Sequence, residues 1–116
     1  MRGFICPLAL VLASTTLLAQ QISATDAAEH VGENATVCGT TASERTATSS
    51  KGSPTFINLD HPYPNQVFTL LIWGADRDQV GKVPETGKIC GIGVITEYRG
   101  SPEIVLRDAK SWYVPG

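Results

Sequence analysis

Three cysteines, two histidines and one methionine are all that this 116-residue chain offers in thiol, imidazole and thioether groups. Neither a Cys-x-x-Cys nor a His-x-x-x-His pair occurs, so no structural zinc site is expected. His30 and His61 stand far apart, one beside a short helical pattern and one in a Pro-rich turn, and neither has a visible partner for general-base work. Lys51-Gly-Ser53 lacks the Gly-Lys-Ser/Thr order of a phosphate-binding loop, and Ser49-Ser-Lys51 is an incomplete Ser-Lys set. Asp76-Arg-Asp78 brings two carboxylates without the further ligands of a calcium loop. The chain is therefore read as needing no cofactor and no metal, and an enzyme is the least favoured class. Charge is also sparse, 17% of residues, and the balance is −2. A basic stripe of the kind that drives phosphate binding is missing, so any such binding must be local and weak.

Long apolar runs are absent too, with one exception at the start. Met1-Arg2 is followed by a nearly unbroken apolar stretch from Phe4 to Leu18. It is short for a bilayer span and has no charged flank to stop transfer, which makes it a secretory leader. Residues 1–24 are assigned to it, with cleavage after Ala19 or Ala24, and residues 25–116 to one mature domain. The product is expected to be secreted or periplasmic, with no stable membrane span once the leader is gone. Without Arg2, eight basic residues face eleven acidic ones, a net charge of −3. Loss of Cys6 leaves Cys38 and Cys90, which in an oxidising compartment are a disulfide candidate or else two buried thiols. A bridge of that span would contribute about 4 kcal/mol by restricting the unfolded chain.

The rest of the chain is rich in strand and turn signals. Thr25 is placed to cap a short helix over Asp26 to Val31, with Gly32 as its stop. Asn34 to Ala42 reads as a first strand, and Ser43 to Ser53 as a polar, mobile loop. Pro54 to Leu59 is a second strand, Asp60 to Asn65 a turn, and Gln66 to Trp73 a third and very apolar strand. Gly74 to Gly87 is irregular, with one helical turn at Arg77 to Val80. A fourth strand from Lys88 is coiled or bulged by Gly91 and Gly93, Tyr98-Arg-Gly-Ser-Pro102 turns the chain, and Glu103 to Asp108 is a fifth strand.

A Gly-containing coiled strand, an aromatic-Arg-Gly turn and Pro-Glu-Ile-Val-Leu106 resemble the last two strands of bacterial OB-fold domains of the nucleic-acid-binding type. Thr55-Phe-Ile-Asn-Leu-Asp60 is similar to the second strand of anticodon-binding OB domains, one residue shorter before the Asp, and Val37-Cys-Gly-Thr-Thr41 is similar to their first strand. The resemblance implies an all-β, five-stranded Greek-key OB barrel with a short N-terminal helix. It also implies a ligand class, single-stranded nucleic acid or nucleotides, bound across strands two and three and between the loops after strands one and four. In that topology the strands of Cys38 and Cys90 are neighbours, although alternation in the two strands calls for a bulge at Gly39 or Gly91 to align the sulfurs.

Period-two alternation then sorts the open face. With Ile57, Leu59, Phe68, Leu70 and Ile72 inward, Phe56, Asn58, Thr69 and Trp73 face outward; the opposite phase would make Phe56 core. Phe56, which matches the stacking aromatic of the anticodon-binding relatives, and Trp73 are candidate stacking platforms, and Asn58 is a hydrogen-bonding group for a base edge. Arg45, Lys51 and Arg99 are placed in flanking loops as phosphate contacts, against the plainer reading that they only keep the surface soluble. Tyr98 is read as a cross-strand packing residue. The alternative ligand is a protein or an oligosaccharide on the same face, which the acidic balance favours. Thiol titration of the denatured mature protein should find no free thiol; two reactive thiols in material from its native compartment would refute the bridge.

Overall fold

The computed structural model describes residues 20–116, so the expected leader up to Ala19, with Cys6, lies outside the described residues. Among these, eight strands form one mixed sheet: β1 (Gln20–Ser23), β2 (Asn34–Thr46), β3 (Thr55–Leu59), β4 (Phe68–Ile72), β5 (Gly87–Val94), β6 (Thr96–Tyr98), β7 (Ser101–Val105) and β8 (Trp112–Tyr113). Their hydrogen-bonded order is β6-β7-β4-β3-β2-β5-β8, with β1 added to β2. The β1–β2 and β4–β7 pairs are parallel and the others antiparallel. The all-β expectation holds, and the five expected strands are present in order as β2, β3, β4, β5 and β7. The ladders trace an open path in place of a five-membered ring.

The inward phase is the one alternation proposed. Ile57, Leu59, Phe68, Leu70 and Ile72 are buried in one apolar cluster with Val37, Ile89, Ile104 and Leu106. Each such side chain contributes about 1.5–3 kcal/mol on leaving water. Ala24 and Ala27 pack into the same cluster from a 3-10 helix, Ala24–His30. That helix starts earlier than expected: its cap is Ser23, whose side chain accepts from the Asp26 N–H at 3.3 Å, and not Thr25. The shift follows from β1, which delivers the chain to the core at Ala24. At the other end, Trp112 Nε1 donates to the Val80 carbonyl at 2.8 Å and ties β8 to the helical turn α1 (Arg77–Val80).

Strand β2 differs most from expectation. It runs on to Thr46, so the loop before β3 shrinks and Arg45 is a strand residue, not a loop residue. The pairing of β2 with β3 shifts between Thr41, opposite Leu59, and Ser43, opposite Asn58. This bulge inserts one residue and turns Ser43 and Arg45 to the face that straight alternation would deny them. Asp60 braces the join: its N–H donates to the Thr40 carbonyl at 2.7 Å, and its Oδ1 accepts from the Thr40 N–H at 3.0 Å.

On its other edge β2 pairs with β5 in unbroken register from Asn34 opposite Val94 to Thr41 opposite Gly87. Cys38 and Cys90 are directly opposite, with Cα atoms 4.0 Å apart, and form a disulfide. The bulge expected at Gly39 or Gly91 is absent, because residues directly opposed in an antiparallel pair already project from one face. The interruption falls instead at Ile95, which separates β5 from β6. Ile95 is fully buried, and it exchanges hydrogen bonds with the chain at Gly32 and Glu33. The β6–β7 hairpin turns on Arg99 and Gly100, whose φ angles of 52° and 80° fit a tight two-residue turn. β7 therefore starts at Ser101 and includes Pro102.

Gly91 serves close packing. A Cβ there would meet Leu70 Cδ2 at 2.5 Å and Leu106 Cδ2 at 3.3 Å. Gly91→Ala should therefore destabilise the domain by about 1–3 kcal/mol through overpacking, read as a lower denaturation midpoint at unchanged slope.

Candidate ligand-binding cleft

The outward faces of β2, β3, β4, β7 and β6 line up by register. Phe56 stands opposite Arg45 and Leu71, Asn58 opposite Ser43 and Thr69, Thr69 opposite Glu103, Glu103 opposite Thr96, and Ser101 opposite Tyr98. Over this surface lies a cleft of about 600 Å³, walled by Ala47 and Ser50 of the β2–β3 loop, by Pro62, Tyr63 and Pro64, and by Arg99 of the β6–β7 turn.

Of the seven expected site residues, five line this cleft: Arg45, Phe56, Asn58, Thr69 and Arg99. Two do not. Trp73 does face outward, but its ring packs on Gly52, where an added Cβ would lie 2.8 Å from Trp73 Cε3. It thereby closes the base of the β2–β3 loop together with Arg77, whose Nη2 donates to the Ser53 carbonyl at 2.6 Å. Lys51 sits at the exposed tip of that loop, outside the cleft. Alternation sorts faces but carries no information on how far along a strand a cleft extends.

The polar floor is a hydrogen-bonded row. Asn58 Nδ2 donates to Ser43 Oγ at 3.1 Å, Thr69 Oγ1 donates to Asn58 Oδ1 at 3.1 Å, and Gln66 Nε2 donates to Thr69 Oγ1 at 3.4 Å. Ser43 Oγ also accepts from the Tyr63 N–H at 3.3 Å. Asn58 is 2% exposed, so its amide first holds the floor together and only its remaining valence is open to a ligand. At the end of the row Gln66 Oε1 is buried and has no partner among the described residues. A buried acceptor left unmatched costs about 1–3 kcal/mol, and a ligand N–H or O–H donor would relieve it.

The rims are aromatic and cationic. Tyr98, expected to pack across strands, is 57% exposed on the cleft edge, with the Arg99 guanidinium 5.2 Å from its ring centroid. Among the described residues neither Arg45 nor Arg99 is paired with a carboxylate. Glu103 lines the same cleft, and burial pushes its carboxyl above the ordinary value of 4.5. Sequence reasoning left out Ser43, Gln66 and Glu103. Glu103 was within reach of period-two counting from Ile104, whereas Ser43 required knowledge of the bulge.

The ladders and an outward cleft between the loops that follow β2 and β6 define an all-β fold built on one open, mixed eight-stranded sheet. Among solved structures, the chain is similar to a protein described as an aspartyl-tRNA synthetase from Leishmania major Friedlin, with a TM-score of 0.52 and 12% identity. The likeness covers 87% of this chain and 22% of that one, so this chain spans about a fifth of the synthetase's length. No protein-family model and no curated protein matches the sequence.

The raised Glu103 carboxyl has a sign that can be measured. The folded state holds this proton more tightly than the unfolded chain, so stability falls as pH rises from the ordinary value of 4.5 to the raised folded one, and is then constant with respect to this group. Glu103→Gln should remove that dependence. The variant should match the wild type in melting temperature below the window and exceed it at neutral pH; an equal offset at all pH values would show that the carboxyl does not titrate in this range.

Proposed function

We propose that the cleft binds single-stranded nucleic acid or nucleotides, weakly, and that the protein does so outside the cytoplasm as a binding module without catalytic activity. The observation that carries this reading is the placement of Phe56, half-buried on the cleft floor, between Arg45 beside it on β2 and Arg99 on the far rim. A flat apolar ring flanked by cations without carboxylate partners suits a base with its phosphates, and stacking of this kind contributes about 1–3 kcal/mol per base. The fold likeness to a protein described as a tRNA synthetase points the same way. The disulfide supports an oxidising compartment, secreted or periplasmic. No helix among the described residues is long and apolar enough to cross a membrane.

The same reading treats the sheet as a five-stranded OB barrel whose fourth strand is split. β5 and β6 are joined by the single residue Ile95; β5 pairs with β2 and β6 with β7. Counted as one strand, they link the two ends of the β7-β4-β3-β2 series.

A second reading, a protein or an oligosaccharide on the same face, draws on the hydroxyl-and-amide row Ser43-Asn58-Thr69-Gln66 and on Glu103, which would repel a phosphate when ionised. Salt separates the two, because phosphate binding weakens steeply with ionic strength while contacts to neutral polar groups do not.

Short single-stranded DNA or RNA should bind at low salt. Replacing Arg45 and Arg99 with Gln should leave the melting temperature nearly unchanged and lower both the affinity and the salt slope, by roughly 0.7 per lost phosphate contact. Phe56→Ala should cost about 1–3 kcal/mol of binding in a folded protein, whereas Lys51→Gln, outside the cleft, should have little effect. No binding at low salt, or a slope unchanged in the Arg45/Arg99 double variant, would leave the protein-or-sugar reading in its place.

A further inference from the structure

Residues 1–24, read as a leader, contain two alanines after which cleavage is equally permitted by residue type, Ala19 and Ala24. Strand β1 separates them. Gln20 to Ser23 lie along β2 in parallel register, from Gln20 opposite Ala35 to Ser23 opposite Cys38. Ile22 is buried at 6% exposure, Ser23 caps the 3-10 helix, and Ala24 is 1% exposed inside the core. A chain cut after Ala24 would lose the strand, the cap and a core side chain together. It would leave the β2 edge from Ala35 to Cys38 unpaired and place a charged amino group one residue from the core position of Ala24. A chain cut after Ala19 keeps all of these.

From this placement we infer that the processing site is the Ala19–Gln20 bond, and that Gln20, once it is the first residue, closes to pyroglutamate. The inference rests on the leader reading and is independent of what the cleft binds. Water cleaves the peptide bond and frees the Gln20 α-amine. That nitrogen attacks the side-chain Cδ, a lactam C–N bond forms, the bond from Cδ to the amide nitrogen breaks, and ammonia leaves. No oxidant or reductant is needed. Gln20 is exposed at the end of the ladder, and among the described residues its side-chain amide makes no hydrogen bond that ring closure would have to break. The product is a strand end without a positive charge and without an amine for aminopeptidases.

The test is to express the full chain in a host with a general secretory pathway, recover it from the extracytoplasmic fraction, and determine its intact mass and its N-terminal peptide. The expected species begins at Gln20, lacks one ammonia, is silent to stepwise N-terminal sequencing, and reads Gln21-Ile22-Ser23 after pyroglutamyl aminopeptidase. Gln20→Ala should be cut at the same bond and be open to sequencing from the start. A first residue of Thr25 would overturn the site while leaving the leader in place. A chain that retains Met1 would overturn the leader reading as well. A Gln20 terminus whose amine stays free after prolonged incubation at neutral pH would overturn the cyclisation.

Discussion

Strand β2 changes partner and face within a few residues of Thr41, and the arrangement of the open surface depends on that change. Up to Thr41 the strand pairs with β5 on one edge and β1 on the other; beyond it, β3 takes over the β1 edge. Thr41 stands opposite Leu59, which is wholly buried, and is itself 8% exposed. Straight alternation would carry Ser43 and Arg45 to that same inner face. The extra residue of the bulge sends them outward, where Ser43 meets Asn58 and Arg45 stands beside Phe56. A bulge next to a binding surface re-aims side chains at the expense of local pairing. Part of that expense is visible in the Thr41 hydroxyl, buried without a partner among the described residues.

The disulfide and the bulge divide the strand into a cross-linked half and a half that lines the cleft. Cys38 and Cys90 lock β2 to β5 through a stretch of regular ladder, so the half of β2 nearer the core helix is held by covalent and hydrogen-bonded constraints together. The half beyond the bulge is held by β3 and by the Thr46–Thr55 hydroxyl pair at 2.8 Å, while the Asp60 brace on Thr40 holds the join. A cleft framed by paired strands keeps Phe56, Asn58 and Thr69 in place without a ligand, which lowers the ordering cost of binding. Arg45 and Arg99 line the cleft together with Glu103, whose burial favours the neutral form.

Strand type, strand order and the inward set were legible before any coordinates, because each is a local property of the chain. Ile57, Leu59, Phe68, Leu70 and Ile72 recur at every second position, which puts them on one face of the sheet. The pairing of Cys38 with Cys90 was what the OB resemblance implied, by making their strands neighbours. The turn at Arg99-Gly100 was announced by its glycine, and Phe56, Asn58 and Thr69 were reached by counting twos in one of the two phases that alternation allowed. Arg45 lines the same cleft from a strand and not from the loop in which the sequence placed it.

Tertiary structure alone decided the rest, since those features depend on which residues oppose one another. The bulge near Ala42 has no residue type that announces it; it exists because Thr41 must meet Leu59 and Ser43 must meet Asn58. β1 and β8 are too short to show a period, and they become strands only when the edges of β2 and β5 offer them partners. Trp73 and Lys51 lie outside the cleft, Trp73 against Gly52 and Lys51 at the tip of the loop whose Ala47 and Ser50 wall it. Gln66 entered the site from the segment before β4, and Glu103 from β7, whose alignment with β3 through β4 is a matter of register. Sequence alone therefore determined what each strand buries, by the local periodicity of the polypeptide; long-range pairing decided what meets across the open face.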